Sequence, residues 1–211
     1  MTCHLCLIRH GETDWNLARR MQGHIDIALN ARGQAQARAL AKSLTGQSFS
    51  AIYASDLARA RETASVSAQE LGLAVTTEPL LRERHYGDFQ GRTYEESRQA
   101  FPEAYERFIA RDVDADFPGG GESLTIFFAR VRAALEAIAA RHSGSHVLVV
   151  THGGVLDMAH RLASHLPLEQ RRNFAIGNAT VNWMRREQGS WRIETWDGRA
   201  HLDNSQDELP G

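Results

Sequence analysis

The sequence predicts an α/β fold, a three-layer sandwich in which a mixed, mostly parallel sheet carries helices on both faces. Short apolar runs alternate along the chain with longer stretches of helical periodicity, a pattern typical of α/β proteins. Residues 147–150 are continuously apolar, as expected of a strand buried on both faces. Near the end, two strand-like segments flank Gly189 and Ser190 as in a hairpin, which makes the sheet mixed.

The individual elements follow from the same periodicities. The predicted strands cover residues 5–8, 51–54, 74–77, 147–150, 179–184 and 191–196. Apolar residues spaced by three and four predict two helices, one with Leu57, Ala60, Ala64, Ala68 and Leu71, the other with Leu124, Phe127, Val131, Leu135 and Ile138. Gly72 is placed to end the first helix. Residues 83–121 are rich in glycine and less regular, and we expect loops and short helices there, over one sheet edge.

Bulk properties exclude several classes of protein. The chain has 211 residues, enough for one substantial core, so residues 1–211 are predicted to form a single domain. A hydrophobic fraction of 42% with 24% charged residues indicates an ordinary globular protein. The net charge is −2 without a basic block, which argues against nucleic-acid binding. Neither a signal peptide nor an apolar run of membrane-spanning length is evident, so we expect a cytoplasmic protein that does not bind membranes.

The two cysteines, Cys3 and Cys6, have the spacing of a redox or metal pair. They fall in a predicted strand, where positions three apart point to opposite faces. Redox pairs of this spacing lie at a helix start, and structural zinc needs four ligands. We therefore interpret both as structural thiols.

Two histidines stand in the same unusual setting. His10 follows Arg9 at the end of the first strand and precedes Gly11, and His152 follows the apolar 147–150 strand and precedes Gly153. The carboxyl ends of strands are where open α/β sheets bind ligands, and glycine lets the backbone approach a ligand closely. The pair therefore predicts a site, although a single histidine of this kind would be interpreted as structural.

A third segment adds positive charge. Arg59 and Arg61 lie in the first turn of the helix that follows the second strand, where backbone N–H groups already favour an anion. The two arginines are two positions apart and face different ways. We assign Arg59 to the strand-end crevice and interpret Arg61 as mainly structural.

Other polar patterns carry less chemistry. Seven further histidines lack a strand-end setting and are interpreted as surface groups or satisfied partners: His4, His24, His142, His146, His160, His165 and His201. Of these, only His24 is close enough to a candidate segment to edge a pocket. Asp112, Asp114 and Asp116 alternate as in a calcium loop, but Phe117 and Ser123 occupy the positions that require glycine and glutamate, so no metal is predicted.

Taken together, these segments resemble the histidine phosphatase superfamily, also called the phosphoglycerate mutase-like family, over nearly the whole chain. The resemblance rests on Arg9-His10-Gly11-Glu12-Thr13 with Trp15-Asn16, on Arg20-Met21-Gln22-Gly23, on Ser55-Asp56-Leu57-Ala58-Arg59-Ala60 with Thr63-Ala64, on Leu81-Arg82-Glu83 through Gly91, on Gly120-Gly121-Glu122-Ser123 and on Thr151-His152-Gly153. Their order and spacing are together highly specific. The resemblance implies the family's fold and a metal-independent mechanism without a cofactor.

It also implies roles for five residues. His10 would be the nucleophile and would need a neutral nitrogen aimed at phosphorus. Arg9, Arg59 and His152 would surround the phosphoryl oxygens and stabilise their charge. Glu83 would protonate the leaving alkoxide and later deprotonate water, which requires a protonated carboxyl favoured by a dry pocket or by the phosphate dianion.

The same resemblance assigns phosphate or substrate contacts, less specifically, to Asn16, Gln22, Gly23 and Gly153. Glu122 and Ser123 precede a helix, and they either cap and brace it or belong to the site. The role of His85 is left open in the same way.

The predicted function is hydrolysis of a small phosphate monoester through phosphohistidine at His10. The alternative is a phosphoglycerate mutase, which residues 83–87 resemble strongly. Only 69 positions separate Glu83 from His152, fewer than in cofactor-dependent mutases, and this favours the phosphatase. A non-catalytic phosphate-binding module is disfavoured because Arg9, His10 and Glu83 are all present. The sequence leaves the exact substrate and the oligomeric state undecided, a homodimer included, and places substrate selection in residues 84–121 and in the C-terminal tail.

Overall fold

The computed structural model describes residues 2–202 of the chain. The strands are β1 (Cys3–Arg9), β2 (Ala51–Ala54), β3 (Val75–Thr77), β4 (His146–Thr151), β5 (Val181–Glu187) and β6 (Ser190–Gly198). The helices are α1 (Asp14–Leu17), α2 (Ala31–Ser43), α3 (Ala58–Leu71), α4 (Tyr94–Ala100), α5 (Pro102–Ile109), α6 (Leu124–Arg141) and α7 (Gly153–Ser164). Two short 3₁₀ turns cover Pro79–Leu81 and Gly87–Phe89. The C-terminal tail, one of the two segments expected to select the substrate, lies outside the described residues from position 203 onward.

The six strands form one mixed sheet with the order β3-β2-β4-β1-β5-β6. The first four strands in that order run parallel, and β5 pairs antiparallel with β1 and with β6. The prediction of a mixed, mostly parallel sheet is confirmed. The hairpin turn uses Gln188 and Gly189, both with positive φ, which is the geometry that matches the twist of the flanking strands.

Helices cover both faces of the sheet, because each central strand presents apolar side chains alternately to the two sides. On one face, α6 and α7 pack on Leu5, Leu7 and Val149, and on the other α2 and α3 pack on Ile8 and Val150. Cys3 belongs to the first cluster and Cys6 to the second, which confirms that the two thiols point to opposite faces. Both cysteines are buried and free.

Residues 83–121 contain the short helices that the sequence predicts, but their placement differs from the expectation. Helices α4 and α5 pack around a separate aromatic cluster that includes Phe89 and Phe117. Tyr86 and Tyr94 from this segment line the same pocket as His10, which directly follows the central strand β1. The segment therefore covers the carboxyl ends of central strands and not a sheet edge, because its aromatic side chains pack there.

Candidate active site

The two strand-end histidines lie side by side at the carboxyl end of the sheet. β1 and β4 pair with Arg9 opposite Thr151, and the backbone N–H of His10 donates to the Thr151 carbonyl over 2.9 Å. His10 and His152 therefore follow at the same level, and their ring centroids are 5.2 Å apart. The pairing register of two central strands is what brings them together.

The His10 ring is held in one tautomer. Its Nδ1 lies 2.7 Å from the Gly11 carbonyl oxygen, which can only accept, so Nδ1 carries the proton and Nε2 keeps its lone pair. The Gly11 N–H donates to Thr63 Oγ1 over 3.0 Å. A side chain at position 11 would place its Cβ 2.5 Å from the Gly33 carbonyl oxygen, so this close approach requires glycine.

Two buried arginines flank the histidines. Arg59 is fully buried in the first turn of α3, and its Nη1 and Nη2 donate to the carbonyls of Ile25 and Gly23 at 3.0 and 2.8 Å. Its buried Nε has no hydrogen-bond partner among residues 2–202. Arg9 Nη1 donates to the Ile176 carbonyl over 2.8 Å. Arg61 is exposed, so the two arginines face different ways, as the sequence predicts.

His152 is completely buried, and neither of its ring nitrogens has a hydrogen-bond partner in the described part of the chain. Buried polar atoms in folded proteins are nearly always paired, so such an atom needs an explanation. Burial is the main reason that the pKa of His152 lies well below its usual range, and Arg59 and then His10 add to the effect. The pKa of His10 is lowered in the same way by burial, Arg59 and Arg9. Both rings are therefore neutral at neutral pH.

This neutrality predicts a pH-dependent stability. Below the ordinary histidine pKa of 6.5 the unfolded chain binds protons that the folded chain does not, so stability falls as pH falls. Each of the two rings can lower the unfolding free energy by at most about 1.4 kcal/mol for each pH unit below this value. We expect the unfolding free energy, measured by urea unfolding at several pH values below ~6.5, to fall steeply with falling pH. The fall should be less steep in His152→Asn. An equal slope in that variant would contradict the account.

Glu83 lines the same pocket as His10, and each of its carboxylate oxygens accepts a hydrogen bond from a backbone N–H group. Oε1 accepts from the Arg84 N–H over 2.8 Å and Oε2 from the Gly154 N–H over 3.0 Å. The chain leading to Glu83 is tied to β4, because Thr151 Oγ1 donates to the Leu81 carbonyl over 2.7 Å. The carboxylate thus has a defined position beside the pocket that contains His10.

Gly154 has no room for a side chain beside this carboxylate. A Cβ at position 154 would lie 2.1 Å from Glu83 Oε1, so Gly154→Ala must push the carboxylate away. We expect kcat to fall about 10- to 100-fold, a typical cost of misplacing a catalytic acid or base. In a Glu83→Ala background no oxygen is displaced, and the same substitution should add little. A full additional loss there would mean that Gly154 acts independently of Glu83.

Behind Glu83, a charged network holds its backbone. Arg130 donates to the Glu83 carbonyl over 3.1 Å and to both oxygens of Glu122 over 2.7 Å. Glu122 in turn accepts from the His85 backbone N–H, and His24 Nε2 donates to the Glu83 carbonyl over 2.8 Å. Glu122 and His24 therefore support Glu83 from outside the pocket, while Ser123 caps α6.

The four residues that were assigned less specifically lie in different environments. Asn16 and Gln22 line the pocket with His10. Asn16 Oδ1 accepts from the backbone and hydroxyl of Thr13, and Gln22 Oε1 is buried without a partner within residues 2–202. Gly23 acts through its carbonyl, which holds Arg59. Gly153 is buried at the start of α7, where its neighbour Gly154 makes the contact to Glu83.

The structure also places residues in the site that the sequence analysis did not single out. Trp15, Tyr86 and Tyr94 complete the pocket wall. Asn178 Nδ2 donates to the His10 carbonyl over 2.9 Å and lies 3.5 Å from Asn16 Oδ1. Trp15 and Tyr86 stand inside the family motifs, whereas Tyr94 and Asn178 had no sequence signal.

The described residues were compared with the ligand sets that hold metal ions. Within residues 2–202 no group of three or more His, Cys, Asp or Glu side chains is arranged to hold an ion. In the acidic segment whose calcium interpretation was set aside, Asp112 accepts from Arg107 and from the Asp114 backbone N–H, and Asp114 accepts from Thr125. In the same described range, no helix has the length and apolar character needed to cross a bilayer.

Comparison with known families agrees with this geometry. Residues 5–198 match the model of the histidine phosphatase superfamily, branch 1. The chain belongs to the histidine phosphatase superfamily. In this chain Arg9, His10, Arg59 and Glu83 line one pocket, and His152 lies beside His10 with 5.2 Å between the ring centroids. The predicted family and fold class are both confirmed.

Individual relatives of this superfamily member bear two kinds of name. It is 42% identical to phosphoglycerate mutase-like protein 4 of Arabidopsis thaliana, covering 95% of this chain and 87% of that one. It is 40% identical to the metal-independent phosphoserine phosphatase of the same plant, with 95% and 83% covered. The solved structure of YhfR from Bacillus stearothermophilus superimposes with a TM-score of 0.89 at 33% identity, covering 95% of this chain and all of YhfR.

Proposed function

We propose that this chain is a metal-independent phosphomonoesterase that hydrolyses a small phosphorylated metabolite through a phosphohistidine at His10. The observation that carries the proposal is the set of buried polar atoms without partners around a neutral His10, namely Arg59 Nε and both His152 nitrogens, as seen within residues 2–202. A phosphoryl group has oxygens that can accept from Arg59 Nε and from the one ring nitrogen of a neutral His152 that carries a proton. The site is thus organised for an anion beside a nucleophile.

In the first step, His10 Nε2 attacks phosphorus in line while the ester P–O bond breaks. The Gly11 carbonyl stabilises the positive charge that develops on the ring, because it accepts from Nδ1 at 2.7 Å. The positive charge of Arg59 stabilises the negative charge on the phosphoryl oxygens, and the neutral ring of His152 donates one hydrogen bond to them. Glu83 gives its proton to the departing alkoxide, which leaves as an alcohol.

In the second step, water attacks the phosphohistidine and the P–N bond breaks. Glu83 takes the water proton, His10 recovers its neutral ring, and inorganic phosphate leaves. The proton gained here is the one that Glu83 gives in the next turnover, so the cycle balances. The backbone N–H groups of Arg84 and Gly154, which donate to the Glu83 carboxylate, keep it in one place for both steps.

A phosphoglycerate mutase is the second candidate, and it is favoured by the sequence of residues 83–87 and by the name of the 42% identical relative. A mutase must exclude water and hold a bisphosphate while it reorients. The short stretch between Glu83 and His152 offers less chain for that enclosure. Phosphatase names among the relatives, including the 40% identical phosphoserine phosphatase, support hydrolysis.

Analysis of the reaction products distinguishes a phosphatase from a mutase. We expect 3-phosphoglycerate primed with 2,3-bisphosphoglycerate to give little 2-phosphoglycerate. In a panel of phosphorylated metabolites, at least one ester should release inorganic phosphate at about 1 per second or faster. Rapid isomerisation with negligible phosphate release would contradict hydrolysis and would leave the assigned roles of His10 and Glu83 intact.

The proposal also covers the domain organisation, the assembly and the location of the protein. We propose that residues 1–211 form one domain, and the single six-stranded sheet with the family match over residues 5–198 supports this. Homodimer formation and a cytoplasmic location stay predictions. Light scattering at several protein concentrations would test the assembly.

A further inference from the structure

The segment that ends at Glu83 is held through its backbone carbonyls. Residues 80–83 belong to no strand, yet each of their four carbonyl oxygens accepts a hydrogen bond from a side chain of another element. One of these donors is the Thr151 hydroxyl described above. A single side chain on α6, Arg130, binds the other three carbonyls at 2.8, 2.9 and 3.1 Å, those of Leu80, Arg82 and Glu83. The backbone that carries the proposed acid is therefore fixed at every residue.

The guanidinium of Arg130 uses all of its N–H groups on the protein. Besides the three carbonyl contacts, Nε and Nη2 donate to the two carboxylate oxygens of Glu122, both at 2.7 Å. A guanidinium has five N–H donors, and this one has five acceptors. The Arg130 and Glu122 side chains are only 15% and 16% exposed, and two parallel hydrogen bonds fix their relative orientation. Arg130 is therefore committed to holding the chain and not to binding a substrate.

Arg130 is itself attached to a rigid part of the fold. Its guanidinium packs over the ring of Phe127, one helical turn earlier on α6, at 4.9 Å from the ring centroid. Phe127 is buried in the core cluster that joins α6 to one face of the sheet. Groups mounted on packed helices are placed more precisely than groups mounted on loops. The position of the Glu83 backbone is thus set by a core helix.

The contacts to the Glu83 carboxylate do not replace this anchoring. One of them comes from the Arg84 N–H, which belongs to the same segment and moves with it. The contact from the Gly154 N–H comes from a different element, but it is one hydrogen bond. Without the carbonyl contacts, the carboxylate could therefore shift relative to His10. A displacement of about 1 Å at a reacting group can lower a rate about 100-fold.

We propose that Arg130 is a positioning residue for both proton transfers of Glu83. Together with Glu122, it sets the distance from the Glu83 carboxyl group to the leaving oxygen in the first step and to water in the second. Arg130 does not line the pocket of His10 and moves no proton itself. The inference rests on the proposed function, because that function gives Glu83 its two proton transfers.

Two esters of similar size measure this positioning. The phenolate of para-nitrophenyl phosphate leaves without protonation, whereas the alkoxide of para-nitrobenzyl phosphate must be protonated as it leaves. For both esters, kcat/KM reports the step that releases the alcohol. We expect Arg130→Gln to lower kcat/KM about 10- to 100-fold for the nitrobenzyl ester and less than about 3-fold for the nitrophenyl ester. A merely structural arginine would lower the two values by the same factor.

Three further variants locate the effect. In a Glu83→Gln background no acid is left to position, so Arg130→Gln should add less than about 3-fold on the nitrobenzyl ester. Arg130→Lys keeps the charge but has three donors in place of five, and it should show the same difference between the esters at a smaller size. It also provides the test if the Gln variant is unfolded by urea criteria. Arg132→Gln removes an exposed arginine of the same helix and should keep both wild-type values.

Equal losses on the two esters in the Arg130 variants would overturn the positioning role and leave the proposed function standing. A full additional loss from Arg130→Gln in the Glu83→Gln background would do the same, since Arg130 would then act independently of Glu83. Wild-type enzyme that releases phosphate from no ester, with rapid mutase activity, would instead overturn the proposed function. The two failures are therefore distinguishable.

Discussion

His10→Ala is expected to lower turnover by at least about 10⁴-fold, because removing the nucleophile of a covalent mechanism leaves only binding and electrostatic effects. The proposed mechanism uses no second nucleophile. His152 is the adjacent ring, at 5.2 Å between the ring centroids, and its proposed role is to bind the phosphoryl oxygens and not to attack phosphorus. Steady-state phosphate release measures the loss.

The control for His10→Ala is His165→Ala, which removes an exposed histidine at the end of α7. This variant should keep wild-type turnover. Urea unfolding of both variants establishes that the His10 variant is folded. A His10→Ala enzyme that is folded and retains more than about one hundredth of wild-type turnover would contradict covalent catalysis by His10.

Glu83→Gln is expected to have the second largest effect, and its size should depend on the leaving group. An alkoxide must be protonated as it leaves, so sugar phosphates should be slowed about 10²- to 10⁴-fold. A nitrophenolate leaves without protonation, so hydrolysis of nitrophenyl phosphate should be slowed much less in its first step. The amide keeps the size of the carboxyl group, and its single oxygen can accept one of the two N–H groups, those of Arg84 and Gly154, that bind the two oxygens of the carboxylate.

Burst kinetics separate the two steps of the reaction in the Glu83 variant. With nitrophenyl phosphate, the burst of nitrophenolate should persist while the following steady state slows, because Glu83 also activates water. Glu95→Gln is the matched control, since Glu95 is exposed on α4 and accepts from its helix neighbours Arg98 and Gln99. Equal losses in the rate of the first step on both ester classes would make Glu83 structural.

The juxtaposition of residues in the candidate site is largely predictable from the sequence, because its main signals are local. The pattern of a strand followed by histidine and glycine occurs twice in the sequence. Because β1 and β4 pair in parallel, the two histidines that follow them lie side by side. Arg59 was assignable because a helix start after a strand places a first-turn side chain at the same edge. The fold class followed from the alternation of apolar periods for the same reason.

The surroundings of the centre depend on contacts between distant segments and could not be predicted in this way. Arg9 is held by the Ile176 carbonyl, 167 positions away, and the His10 carbonyl by Asn178, 168 positions away. The placement of residues 83–121 depends on an aromatic cluster whose members show no regular period. Arg84 follows Glu83 directly and looked like an ordinary charge, and only its burial distinguishes it.

The most direct test of the central claim is to trap the phosphorylated enzyme. Enzyme mixed with a labelled phosphate ester and quenched in alkali should carry label that is stable to base and lost in acid, as expected of a phosphorylated histidine nitrogen. We predict that mass spectrometry of peptides from the quenched enzyme places the phosphoryl group on His10. The label should appear and decay at rates compatible with turnover. Complete conversion of substrate in a single turnover without any phosphorylated enzyme, or label on a residue other than His10, would contradict the account.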